Sequence, residues 1–350
     1  MRTVDPAKIK SQASYSHAGT FYSLAADVVH GRLFAGSDDS AIHVFDLKAE
    51  KKQSVAQWKR HTSYVSSLLF LTLPSGPLVV SASYDRSLIW WDAKDGKVIR
   101  AIEGHQGWIR SLAATPAGRQ FVSAGDDMVI KFWDTGTGRL LRTFEAHAKR
   151  TPQGHVTALY AIAISPDGRY AASGDRIGAV CLWELETGKL AERFEIPVLY
   201  TYDPLQRKRS IGGIRSLAFS PDGKLLAAGG IGQVGNVDGL AGPAQVELWD
   251  WHKPRRCCTL TAQGHKGLVN CLLFHAKEPW LLGGGGGSDN GFLGLWNMAA
   301  ISPAAAERKE PVAGQRIKSD GHIHAFCLNA EKNELYAAGY PKLEVWSLSG

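Results

Sequence analysis

The sequence predicts an all-β fold, a ring built from one four-stranded sheet written several times over, and three observations carry that reading. Residues 105–147 spell out one complete unit. It has an apolar strand from Ile109 to Ala114, a turn at 115–118, a second strand through Ser123, a tight turn at Asp126 and Asp127, a third strand ending in Trp133 and Asp134, a Thr-Gly-Thr-Gly turn, and a fourth strand from Leu140 to Phe144. The aromatic residue that ends the third strand returns seven times, as Phe45, Trp91, Trp133, Trp183, Trp249, Trp296 and Trp346, at spacings of 46, 42, 50, 66, 47 and 50 residues. Turns recur between the first and second strands, as in Ser165, Pro166, Asp167, Gly168 and in Ser220, Pro221, Asp222, Gly223; proline presets φ there and glycine accepts a positive one. Short antiparallel strands repeating every forty or so residues are the signature of a β-propeller. The expected architecture is a seven-bladed β-propeller of four-stranded antiparallel blades.

Within the unit, Ser123, Asp127 and Trp133 stand at offsets 0, 4 and 10. A tight turn between two paired strands brings the hydroxyl and carboxylate toward the indole N–H, and His105, entering from the preceding loop, links Asp127 to Ser123. Each of these groups needs a partner once buried, because an orphaned polar group costs about 1–3 kcal/mol. This His, Ser, Asp and Trp arrangement resembles the blade of the WD-repeat β-propeller family. The resemblance implies that residues 7–14, which precede the first repeat, supply the missing fourth strand of the last blade and close the ring with an N-terminal strand.

The other repeats keep the quartet unevenly. Blade two carries His61, Ser81, Asp85 and Trp91. Blade four carries His155, Ser173 and Trp183, with Ile177 where the aspartate should stand. Blade one replaces the serine with Ala35 and the tryptophan with Phe45, and blade six offers Gly286 and Asn290 at the serine and aspartate positions. Blades five and seven have no recognisable quartet, and His322 lies too close to the next strand to serve blade seven. The seven blades are expected near residues 15–60, 61–103, 104–146, 147–196, 197–263, 264–310, and 311–350 together with 7–14.

Composition narrows the function. The 350 residues form a single domain, because a repeat ring grows by adding units. The first fifteen residues carry charge and no apolar run, so no signal peptide is expected, nor any membrane segment, and the chain is expected to be a cytoplasmic monomer. Of the five cysteines, Cys257 and Cys258 are adjacent and none has zinc-site spacing. His322 and His324, two apart, suggest a metal pair on one strand face but lack a third ligand. No catalytic constellation emerges, and no enzyme activity or cofactor is expected.

Length excesses over the compact third repeat occur at 148–153, 197–213, 230–244, 283–288 and 299–320. All are read as connections at one end of the strands, which makes that end the expected binding face. Arg150, Tyr200, Tyr202, Arg207, Lys208 and Arg209 form one expected partner-binding cluster there. The residue three after each loop histidine selects Tyr64, Trp108 and Leu268 at the rim; Asp38, Tyr84, Asp126 and Asp289 are expected beside them. By the resemblance, Tyr64, Tyr84 and Trp108 contact a partner. The expected function is a non-catalytic protein interaction scaffold. The alternative is a subunit of a nucleic-acid assembly, raised by a net charge of +7 and a pI near 9.1. Trp90 and Trp251, next to motif aromatics, are expected to pack between blades.

Overall fold

The computed structural model describes residues 3–205, 208–288, 290–301 and 307–349. Seven blades of antiparallel strands surround a central channel; six pair their strands in chain order from the channel outward, and the seventh takes its outer strand from the N-terminal segment. Blade three is Ile109–Ala114, Gln120–Gly125, Ile130–Asp134 and Leu140–Phe144. The second and third strands of a blade are covered on both faces by neighbouring blades, so they read as nearly continuous apolar runs such as Arg32–Ser37 and Ala41–Asp46. Outer strands such as Val98–Glu103 alternate between exposed and half-buried residues, because only one face packs. Trp90 and Trp251 sit in inter-blade cores, with Trp90 edge-on to Phe121 and Trp251 to Phe219.

The ring closes as the resemblance implied. Lys10–Ser16 runs antiparallel to Lys342–Ser347 and completes the blade built from Ile323–Asn329, Glu334–Gly339 and Lys342–Ser347. Tyr15 of this closing strand is buried and meets Phe45 of blade one edge-on at 5.1 Å, so the N-terminal strand also links the last blade to the first.

Two of the five expected insertions are corrected. The glycine run at 283–288 is mostly strand: Gly283 to Gly286 belong to Trp280–Gly286, the buried second strand of blade six. A Cβ on Gly283 would lie 2.8 Å from the Trp296 ring, and one on Gly284 would lie 2.5 Å from Phe326. The glycines therefore let the indole and the inner strand of blade seven approach the backbone. Residues 299–320 are not a connection into blade seven, because Gln315–Ser319 within them is the outer strand of blade six. The excess lies between third and fourth strands, at the opposite end of the ring, where Val312 and Ala313 pair in parallel with Leu260 and Thr261 of blade five. The remaining three excesses, at 148–153, 197–213 and 230–244, share the end that carries the loop histidines.

All five cysteines are free thiols. Cys257 sits at a register shift in Arg255–Lys266, which explains how two adjacent side chains are both buried. Burial raises both thiols, Cys258 to about 11.

Deleting residues 1–16 removes the closing strand and its buried Tyr15, leaving Lys342–Ser347 as an open edge that invites pairing between chains. The variant is expected to melt roughly 5 °C or more below the intact protein and to elute partly as oligomers in size-exclusion chromatography. An unchanged melt with monomeric elution would contradict a structural role for closure.

Candidate functional site

The quartets fix the geometry of the loop-rich face. In blade two the Trp91 indole donates to Ser81 Oγ at 2.8 Å, Ser81 Oγ lies 2.7 Å from His61 Nε2, and His61 Nδ1 lies 2.9 Å from Asp85. The serine hydroxyl accepts from the indole and donates to Nε2, which leaves Nδ1–H to donate to the carboxylate. Blade three repeats this with Trp133 to Ser123 at 2.8 Å, Ser123 to His105 at 2.6 Å and His105 to Asp127 at 3.0 Å. Each carboxylate also accepts the backbone N–H following its histidine, at Thr62 and Gln106, which pins the loop at the mouth. Burial alone would raise the Asp85 and Asp127 carboxyls, but hydrogen bonds from His61 and Ser87, and from His105, outweigh it and hold both below the ordinary value.

Blade four corrects the expectation for His155 and Ile177. Its quartet is His147, Ser173, Asp175 and Trp183, with His147 2.8 Å from Ser173 and 2.9 Å from Asp175, and Trp183 donating to Ser173 at 2.9 Å. The loop excess separates His147 from the inner strand, and Gly154 before His155 imitates the usual Gly-His start. His155 is exposed and faces Tyr202 at 6.3 Å between ring centroids. In blade six Trp296 pairs with Leu281, so Gly283 rather than Gly286 occupies the serine position, and the indole turns away to donate to the Thr261 carbonyl at 3.0 Å. The longer hairpin defeats the fixed offset of ten. Blade one, lacking serine and tryptophan, joins His17 Nε2 to Ser37 Oγ at 2.8 Å.

A ring of channel residues escaped sequence reasoning. In six inner strands the register slips by one residue, at Tyr22, Ser66, Arg110, Tyr160, Asn270 and His324, and Arg215 holds the matching place at the start of blade five. These bulges put one side chain per blade into a central cavity of about 340 Å³. The signal was present in four blades as the fifth residue after His17, His61, His105 and His265. The bulge also separates His322 from His324: the His322 ring packs beside Gly286, whereas His324 lines the channel, so the expected shared face is lost. Burial and the neighbouring His322 push His324 down to about 4.

At the mouth the expected rim aromatics come together in a continuous arc. Ring centroids lie 5.4 Å apart from Tyr22 to Tyr64, 5.6 Å from Tyr64 to Tyr84 and 4.7 Å from Tyr84 to Trp108, the last pair nearly parallel. Trp108 is 49% exposed and Tyr64 41%. Arg110 stacks against Tyr84 and Trp108 while its guanidinium grips Asp126 through two bonds of 2.7 Å. Leu268 begins blade six, and Asp38 instead holds the Thr20 N–H at 2.8 Å. Asp289 lies outside the described residues.

The expected basic cluster is partly assembled. Tyr200–Asp203 and Arg209–Gly212 form a hairpin on the same face. Tyr200 donates to Gln153 at 3.0 Å, and Gln233 donates to the Tyr200 carbonyl at 2.7 Å, so the hairpin is bonded to both of the other loop excesses. Arg209 is bound to Asp238 and Arg150 donates to the Gly154 carbonyl. Lys208 is exposed; Arg207 lies outside the described residues. Among the described residues, the group of three side chains placed to ligate a metal is His17, Asp39 and His43, within 4.8 Å of one another, rather than a set around His322. No helix among them is long and apolar enough to cross a membrane.

The family model "WD domain, G-beta repeat" matches residues 52–92, 96–134, 138–184, 206–234 and 256–297, more than half of the chain, and the chain belongs to that WD40-repeat family. Its propellers are typically protein-interaction scaffolds and generally not catalysts. The chain is similar to the nuclear distribution protein PAC1 of Arthroderma otae, at 35% identity over 82 residues covering 22% of this chain and 18% of that protein. It is likewise similar to the F-box/WD repeat-containing protein 10 of Mus musculus, at 35% over 82 residues (23% and 8%). A third relative is the small ribosomal subunit protein RACK1y of Oryza sativa subsp. japonica, at 36% over 55 residues (16% of each chain). The chain spans less than a fifth of the length of each of these relatives.

His147→Ala is expected to cost about 1–3 kcal/mol in urea denaturation, as an orphaned buried serine and aspartate would, whereas His155→Ala should stay within about 0.5 kcal/mol. Equal losses would restore His155 to the quartet. Acid should weaken the quartets in a defined window. Asp85 and Asp127 have folded pKa values below the ordinary 3.8, so their contribution is complete above that pH and is lost as the pH falls through the depressed values. Thermal melts are expected to drop below about pH 4, and Asp85→Asn, already less stable, should drop less steeply over the same range.

Proposed function

We propose that this chain is a non-catalytic platform that binds a protein partner across the loop-rich mouth of the propeller. The observation that carries this reading is the exposed arc of Tyr64, Tyr84 and Trp108 at the channel rim, with the packed hairpin of Tyr200, Tyr202 and Lys208 on the same face. Large, half-exposed aromatic rings held rigid by stacking are the side chains that dominate interface energetics, since few torsions remain to be frozen on binding. Arg150 in the neighbouring loop and Arg209 within the hairpin would contribute at its edge, and Arg207 is kept in the proposed cluster from the sequence alone.

The alternative, a subunit of a nucleic-acid assembly, draws on the net charge of +7. Two features weigh against it. The facing sides of Tyr84 and Trp108 are already stacked on each other, and Arg110 and Arg209 are held by Asp126 and Asp238 rather than free for phosphates. Recovery of partners from the native cell by affinity capture, with and without nuclease, separates the two readings. Trp108→Ala is expected to reduce partner capture at least about tenfold, as loss of an interface anchor does, with the melting temperature within roughly 2 °C of wild type. Nuclease-sensitive capture, falling steeply with salt, would favour nucleic acid instead.

A further inference from the structure

We propose that the channel beneath the aromatic arc is an oxyanion site, centred on Arg215, that takes a single carboxylate or phosphate group. The seven inward positions comprise two guanidiniums, two phenols, a hydroxyl, a carboxamide and an imidazole, and no aspartate or glutamate lines the cavity. Every one of those seven groups can donate a hydrogen bond. The two arginines differ in a way that decides the matter. Arg110 is neutralised by Asp126 through its paired bonds. Arg215 has a buried Nε with no hydrogen-bond partner among the described residues, and its guanidinium lies 4.0 Å over the Tyr160 ring. The cations that act on it, Arg110 and Arg176, are of its own sign, and the groups that oppose them are the phenols of Tyr160 and Tyr84 rather than a carboxylate.

A shielded cation without a counter-charge is costly, and a stacked ring repays only a small part of that. Burial and the like charges accordingly lower the Arg215 pKa. An anion entering the cavity would remove the penalty and meet a planar fork suited to two oxygens at once. The cavity of about 340 Å³ has room for such a group but not for a folded element. If the reading of the mouth as a partner surface holds, the oxyanion arrives on an acidic or phosphorylated side chain of that partner; the site itself does not depend on that reading.

The test uses the whole isolated protein with inorganic phosphate as the probe. About 10 mM phosphate, compared with chloride at matched ionic strength, is expected to raise the melting temperature by roughly 2 °C if the dissociation constant is near 1 mM. Arg215→Met is expected to melt at least as high as wild type in chloride and to show no phosphate shift. Arg215→Lys, which keeps the charge and loses the fork, should retain a smaller shift and serves if the methionine variant misfolds. A wild-type shift no larger in phosphate than in chloride, or the same shift in Arg215→Met and Arg215→Lys as in wild type, overturns the proposal. Partner capture with Arg215→Met then identifies the source: lost capture means the oxyanion is carried by the partner, and retained capture means a free anion. Failure of Trp108→Ala to affect capture would sink the partner surface while leaving the phosphate result untouched.

Discussion

Seven twisted sheets set radially leave two unpaired strand edges unless one end of the chain crosses back to the other. In this protein Lys10–Ser16 does so, and every other feature presupposes it. The closed ring holds the inner strands at fixed spacing, which defines a channel of fixed bore. It also buries the second and third strands of each blade on both faces, which supplies the apolar cores that single sheets of this size lack. Tyr15 against Phe45 extends the same closure into the neighbouring blade.

The quartets act on top of that frame by a different force. Their four-group chains of hydrogen bonds add little hydrophobic burial; they satisfy an indole, a hydroxyl and an imidazole in a place where water cannot. Because the terminal carboxylate also accepts a backbone N–H of the incoming loop, the interior chain ends at the binding surface. The loops above blades two and three are thereby held to the sheet, and the stacked Tyr84 and Trp108 inherit that rigidity. In blades five and seven the Trp249 and Trp346 indole nitrogens have no hydrogen-bond partner among the described residues, so the chain of bonds does not start there.

The fold was legible in the sequence because its evidence is periodic: seven aromatic strand ends and regular turns survive local irregularity. The site was legible where it depended on fixed offsets, as for His61 with Asp85 or Tyr64 with Trp108. It failed where chain length varied between landmarks. In blade four an inserted loop placed a second Gly-His pair nearer the strand than His147, and in blade six a longer hairpin moved the serine position from Gly286 to Gly283. Sequence also could not show which charges were satisfied. Arg209 was read as an available charge, and only the position of Asp238 shows that it is held.

The single-residue slip in the inner strands separates two tasks that a regular strand would force on the same residues. Residues just before the slip, such as Phe21, Val65 and Ile109, pack into inter-blade cores, while the slipped residue lines the channel. Seven positions, one from each blade and scattered across 303 residues from Tyr22 to His324, therefore meet in one cavity and set its chemistry together. Changing one alters the chemistry of the pore while leaving the buried aromatic cores of the blades in place, so a propeller of this kind can vary its channel specificity by few substitutions.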